Sequence, residues 1–118
     1  MSAQQNAQAI VVLVTCPRGR HADTLATLVV RERLAACVNI LPSVQSWFWW
    51  NGKVDQAKES LLIMKTSARR FSALMRAVRA HHPYEVPEII ALPIMRSFQP
   101  YLAWVLASLS IENSASRP

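Results

Sequence analysis

Trp47-Phe48-Trp49-Trp50-Asn51-Gly52-Lys53 is the stretch on which the reading of this chain turns. Asn-Gly between two extended runs is a strong hairpin signal, because both residues tolerate the positive φ of a tight two-residue turn. With that turn Trp50 pairs with Lys53, Trp49 with Val54 and Phe48 with Asp55. Side chains alternate faces along a strand. Trp47 and Trp49 therefore share one face of the hairpin, Phe48 and Trp50 the other. One sheet covered by helices on a single side cannot bury both. The flanking runs, Ala36 to Trp50 and Lys53 to Thr66, would also reach ~45 Å as strands of about fourteen residues, long for a domain of this size. Exposed aromatic surface of that extent marks an interface. The hairpin is expected to project from its subunit and pack on a neighbour.

The rest of the chain supplies a domain around this hairpin. Ala9 to Cys16 (AIVVLVTC) is rich in β-branched residues and almost wholly apolar, as a strand covered on both faces or central in its sheet is. Pro17 and Gly19 break it. His21 to Leu34 has helical period, with Ala22, Leu25, Ala26 and Val29 on one stripe. Ser67 is a candidate cap for a second helix, whose stripe is Phe71, Leu74, Met75 and Val78 and which Pro83 ends. Val86 to Met95 reads as a fourth strand. Pro87 and Pro93 lack an N–H and place it at an edge or a bulge. Pro100, at a first helical position, opens a terminal helix. The order βαββαβ followed by a helix is the ferredoxin-like, split βαβ arrangement of an α+β protein. It accounts for residues 1–118 as a single domain, with 1–8 and 112–118 as polar, flexible ends.

Composition narrows the function. The 118 residues are 52% apolar and only 17% charged, which suits one folded domain and not a disordered chain. No apolar run approaches the ~20 residues of a membrane helix. Thirteen Lys and Arg against seven Asp and Glu give +6, a balance that favours an acidic or phosphate-bearing partner. The basic residues are scattered, and the strand Ile10–Cys16 carries no aromatics. Nucleic acid is therefore not the expected partner. Two cysteines make no disulfide framework, and Met1–Gln8 is no secretory leader, so the cytoplasm is the expected compartment. Two glycines, Gly19 and Gly52, cannot build a phosphate-binding loop, and HExxH, CxxC and GxSxG are absent. A binding protein, not an enzyme, is expected.

Candidate ligands concentrate in His81-His82-Pro83-Tyr84-Glu85-Val86-Pro87-Glu88. Neutral imidazoles bind divalent metals. Adjacent side chains diverge, however, so an ion shared by His81 and His82 needs a further donor. Cys16, Glu85, Glu88 or another subunit could supply it. The alternative is that one histidine satisfies the helix C-terminus while the other is exposed. Cys16 ends a strand near basic residues able to lower its pKa. Cys37, after Leu34-Ala35-Ala36, reads as a small buried hydrophobe. Lys65 could pair with Glu59, Glu85 or Glu88.

In order and spacing, one series of short motifs resembles the CutA family of divalent-cation tolerance proteins. They are Thr15-x-Pro17, Leu34-Ala35-Ala36-Cys37-Val38-Asn39-Ile40, Ser46 with Trp50-x-Gly52-Lys53 and Glu59, Lys65-Thr66, His82-Pro83-Tyr84-x-x-Pro87-Glu88, and Tyr101-Leu102-x-Trp104. They run from Val11 to about Leu109. The resemblance implies a tight homotrimer whose hairpins wrap their neighbours. It further implies a part in tolerance of divalent metals, copper(II) above all, with His81, His82 and Cys16 as the metal set. A second expectation follows from the similarity of such trimers to the PII signalling proteins. On that reading a small anionic ligand sits in an inter-subunit cleft lined by Trp50, Glu59, Lys65, Tyr84 and Glu88, with no physiological metal. The chain departs from the family pattern at Arg18, Gly19 and Arg20 and at Asn51 and Ala57, where acidic residues are usual. Val14 stands where some copper-linked members have cysteine. These departures favour an anion-friendly rim.

Overall fold

The computed structural model describes residues 7–110. The expected flexible ends at 1–6 and 112–118 lie outside the described residues. Gln8 is held: its side-chain amide donates to the Ala9 and Ile94 carbonyls, and its own carbonyl accepts from the Ala68 N–H. The elements are β1 (Ala9–Pro17), α1 (Arg20–Arg31), β2 (Cys37–Trp50), β3 (Lys53–Ser67), a 3-10 turn (Ala68–Arg70), α2 (Phe71–His81), β4 (Ile89–Pro93) and α3 (Gln99–Ser108). The sheet is antiparallel with order β2-β3-β1-β4. This is the expected βαββαβ arrangement with its terminal helix.

The apolar β1 lies between β3 and β4, which explains why it lacks polar alternation. Its Val12, Val14 and Cys16 are fully buried and meet Leu62 and Met64 of β3 and Leu25, Val29, Leu74 and Val78 of the helices. Each such side chain contributes about 1.5–3 kcal/mol. The stripes of α1 and α2 fall on the predicted residues because apolar spacing of three and four dictates the buried face.

Three local expectations are corrected and one holds. β4 begins at Ile89, not Val86, because Pro87 cannot join a ladder. It pairs only with β1, so Pro93 does sit on an edge strand. Ser67 ends β3 and makes no capping hydrogen bond, since the 3-10 turn separates it from α2. Pro100 is the second residue of α3, one place later than expected.

The hairpin pairs as read, Trp50 with Lys53, Trp49 with Val54 and Phe48 with Asp55. Asn51 at φ 52° and Gly52 at φ 75° form the turn. The register slips by one residue between Leu41 and Val44. Pro42 and Ser43 oppose Ser60 alone there, and the Ser60 hydroxyl donates to the Pro42 carbonyl at 3.0 Å. A proline suits this bulge because it has no N–H to offer the ladder. Past it the strands run beyond the helices, and the molecule reaches 46 Å in its longest dimension. Trp47, Trp49 and Trp50 stay 61–75% exposed.

Candidate functional site

The end of β1 meets the loop after α2. Pro17 lies opposite Glu59 and Cys16 opposite Ser60. His82 is drawn over this strand end. Its Nδ1 accepts the Tyr84 N–H at 3.0 Å. Its Nε2 therefore carries the proton and donates to the Thr15 carbonyl at 2.7 Å. His82 directly follows α2 and is extended ahead of Pro83, and the short loop returns Tyr84 across the imidazole, with ring centroids 4.9 Å apart. The Tyr84 hydroxyl donates to Glu59 Oε2 at 2.8 Å. Glu59 is only 7% exposed. The chain thus builds one polar knot from Thr15, Glu59, His82 and Tyr84.

Electrostatics follow from this packing. Burial, the bond to Glu59 and the Glu59 charge push the Tyr84 phenol up to about 12. Burial raises the Cys16 thiol as well, and the Glu59 charge adds to it. This corrects the expectation that basic neighbours lower it. Arg18 and Arg20 are exposed, and the charge that acts on the thiol is the Glu59 carboxylate.

His81 is different. It ends α2 on the surface, and its Nδ1–H donates to the Ala77 carbonyl at 2.9 Å. The Nε2 lone pair then faces outward. The two histidines accordingly divide the work: His81 satisfies a helix-end carbonyl, and His82 locks a loop. Among the described residues no group of three or more His, Cys, Asp and Glu side chains is placed to hold a metal ion.

The cleft residues do not gather within one subunit. Trp50 pairs with Lys53 at the tip, Glu59 lies six residues further along β3, and Lys65 six further still. Each step is ~20 Å. Glu59 and Tyr84 do meet, whereas Glu88 is exposed just before β4. Lys65 makes no pair with Glu59, Glu85 or Glu88. Its amine donates to Asn39 Oδ1 and stands 3.8 Å from Cys37 Sγ. Cys37 is half-buried, which corrects its reading as an interior hydrophobe.

Sequence reasoning missed the parts played by the Thr15 carbonyl, Asn39 and the bulge at Pro42. Backbone acceptors and cross-strand neighbours leave no compositional mark. It also missed the structural duties of two arginines. The Arg33 guanidinium donates to the Ser108 carbonyl at 2.9 Å and Arg70 to the Leu109 carbonyl at 2.6 Å. Both cap the C-terminal end of α3, where cations are favoured.

Comparison with known proteins agrees with this architecture. The family model described as CutA1 divalent ion tolerance protein matches residues 10–108. The divalent-cation tolerance protein CutA of Thermus thermophilus is 48% identical over 95 residues, which are 80% of this chain and 92% of that protein. The chloroplastic protein CutA 1 of Oryza sativa is 45% identical over 104 residues, 88% of this chain. The chain spans only 59% of the rice protein and of the mouse protein CutA. The crystal structure of CutA1 from Oryza sativa superposes with a TM-score of 0.86 at 44% identity, covering 92% of this chain and 99% of that one. A structure described as the periplasmic divalent cation tolerance protein CutA of Archaeoglobus fulgidus gives 0.84 at 34% identity, covering 86% and 99%.

Proposed function

The chain belongs to the CutA1 divalent ion tolerance family, and from that premise we propose that it is a homotrimeric, non-enzymatic protein that binds copper(II) or a similar divalent ion as cargo. The observation that carries the metal reading is the outward Nε2 of His81, an imidazole lone pair with its ring already oriented by Ala77. His81 is the anchoring donor. His82 joins it by releasing the Tyr84 N–H, and Cys16 by opening of the strand end. The donors of a single subunit do not fit a closed site, so another subunit completes the coordination. Calorimetric titration of the apo protein with copper(II) tests this. Saturable binding that His81→Ala weakens at least about tenfold is expected for loss of a metal ligand. Equal binding by the His81→Ala/His82→Ala variant would sink the assignment.

The trimer is supported by the face of the sheet that the helices leave open. Leu13, Leu41, Leu61, Ile63, Ile90 and Leu92 share it by register, and Leu41, Ile90 and Leu92 are 40–50% exposed. The uncharged α3 adds a buried Trp104 Nε1–H that has no acceptor among the described residues. A buried donor requires a partner. Sedimentation should give three copies, and Ile90→Asp should release monomers; a monomeric parent refutes the assembly. We place the protein in the cytoplasm because its two cysteines are free and lie on opposite faces of the sheet, to be checked by fractionation of cells carrying the full gene product.

One observation favours the anionic-ligand reading. A depression of about 470 Å³ between the start of α1 and the β2 bulge is lined by Arg18, Gly19, Asp23, Pro42 and Ser60. On this reading it supplements the inter-subunit cleft of Trp50, Glu59, Lys65, Tyr84 and Glu88. A thermal-shift screen of nucleotides and organic phosphates tests it, and no shift with any of them removes it.

A further inference from the structure

Cys37 and Lys65 are directly opposite one another on β2 and β3. Both side chains rise from the open face, on its polar margin along edge strand β2. Lys65 Nζ stands 3.8 Å from Cys37 Sγ. The Asn39 side-chain carbonyl, two residues along β2 on the same face, accepts from the amine and holds it there. The hydrogen-bond partners of the amine are thus a sulfur and a neutral amide, with no carboxylate between amine and sulfur. Cys37 is half-buried within its subunit. Cys16 is the contrasting case. It is fully buried, and the charged group that acts on it is the Glu59 carboxylate.

We infer that Cys37 and Lys65 form a reversible covalent link under oxidation, a sulfenamide between Sγ and Nζ, with a hydroperoxide as the oxidant. Hydrogen peroxide first converts the thiol to a sulfenic acid. Its O–O bond breaks, one hydroxyl goes to sulfur, and the other leaves as water with the thiol proton. The Lys65 ammonium gives up a proton to water, and the freed nitrogen lone pair then attacks the sulfur. The N–S bond forms, the S–O bond breaks, and the departing hydroxide takes a proton from nitrogen as a second water. Sulfur is oxidised and peroxide oxygen reduced. In sum, thiol, ammonium and one peroxide give sulfenamide, two waters and a proton. Sulfenic acids are known to condense with a nearby nitrogen in this way, and thiols reverse the product.

The register makes the step a local one. The two side chains already face each other across a hydrogen-bonded ladder, so closing the gap needs rotamer changes only. The link staples the start of edge strand β2 to β3. It also removes the Lys65 positive charge and shields the sulfur from irreversible oxidation. The inference is independent of the metal reading, because neither residue belongs to the proposed ligand set.

Intact-mass measurement of the full chain after graded hydrogen peroxide, without reductant, tests it. The expected product is about 2 Da lighter than the parent, from loss of two hydrogens. It should revert with a thiol reductant. Trypsin should fail to cut after Lys65, and the peptides carrying Cys37 and Lys65 should stay joined. An intramolecular Cys16–Cys37 disulfide has the same mass, so Cys16→Ala is run in parallel and should keep the product; the joined peptides decide the matter in the parent if that variant folds poorly. Lys65→Arg keeps the charge but offers a non-nucleophilic guanidinium. It should lower the yield at least about tenfold and divert Cys37 to oxygen-added forms. Oxygen addition alone in the parent overturns the inference. So does a lighter product that survives Lys65→Arg, or a Cys37–Cys37 dimer as the main product.

Discussion

Removing the Tyr84 hydroxyl probes the polar knot most directly. That hydroxyl donates to Glu59 at 2.8 Å, and Glu59 is 7% exposed. Tyr84→Phe leaves a buried carboxylate oxygen without its donor. Hydrogen bonds to charged groups contribute about 1.5–3 kcal/mol. Tyr84 itself is 38% exposed, so water partly replaces the lost donor and the lower end applies, about 1.5 kcal/mol. That is roughly tenfold in the unfolding constant. The assay is urea denaturation at one fixed protomer concentration, since assembly makes the midpoint concentration-dependent. A double-mutant cycle with Glu59→Gln isolates the pair, with an expected coupling of about 1 kcal/mol or more. The pH dependence has a definite sign. The folded phenol titrates at about 12, above its ordinary value of 10.0. Its contribution is therefore complete below pH 10 and disappears as pH climbs through 12, whereas Tyr84→Phe shows no such loss. A coupling below about 0.3 kcal/mol, inside the scatter of independent sites, would refute the reasoning, as would a tyrosinate absorbance titration in which both tyrosines ionise near pH 10.

Other substitutions test the layers around that knot. Leu62→Ala, at a fully buried position under α1 and α2, should cost about 3–4 kcal/mol in urea denaturation; a loss below 1 would mean the core collapses around the gap. Gly52→Ala meets open space but keeps φ at +75°, so about 1 kcal/mol of backbone strain is expected, read as faster amide exchange in the hairpin. His82→Ala strands the Thr15 carbonyl and the Tyr84 N–H and should cost about 2–3 kcal/mol, while the exposed His81→Ala should stay within about 0.5; equal midpoints would contradict the division of roles. Iodoacetamide at neutral pH should label Cys37 at least about tenfold faster than Cys16, whose thiol is enclosed and held protonated by burial and the Glu59 charge. Peptide mapping with time gives the two rates.

The sheet bulge shows how small the gap between sequence and structure can be, and how much it decides. Counting back from the Asn51-Gly52 turn at constant register places Cys37 opposite Thr66, under the helices. That agrees with its apolar surroundings in the sequence. The extra residue at Pro42-Ser43 slides the ladder by one, and a one-residue slip exchanges the two faces of a strand. Cys37 therefore meets Lys65 on the face away from the helices. Nothing in the spacing of Leu41-Pro42-Ser43-Val44 states on which strand the extra residue falls.

Element type and order were legible in this chain because periodicity is a local property. Apolar spacing of three and four fixed the buried stripes of α1 and α2, and unbroken β-branched apolarity marked β1 as a central strand. A two-residue turn set the pairing of Trp47–Trp50 with Lys53–Gln56 without reference to anything distant. The motif series carried the family. What only the tertiary structure decided are the contacts between residues far apart in the chain. Sequence placed His81 and His82 side by side as equal candidates. The fold gave His82 the Thr15 carbonyl 67 positions away and left His81 its lone pair. It turned the neighbourhood of Cys16 from basic to acidic by laying Glu59 beside it, and it used Arg33 and Arg70 as helix caps. Local propensity is written in neighbouring residues; hydrogen-bond partners and charge environments are set by which strands and loops the core brings together.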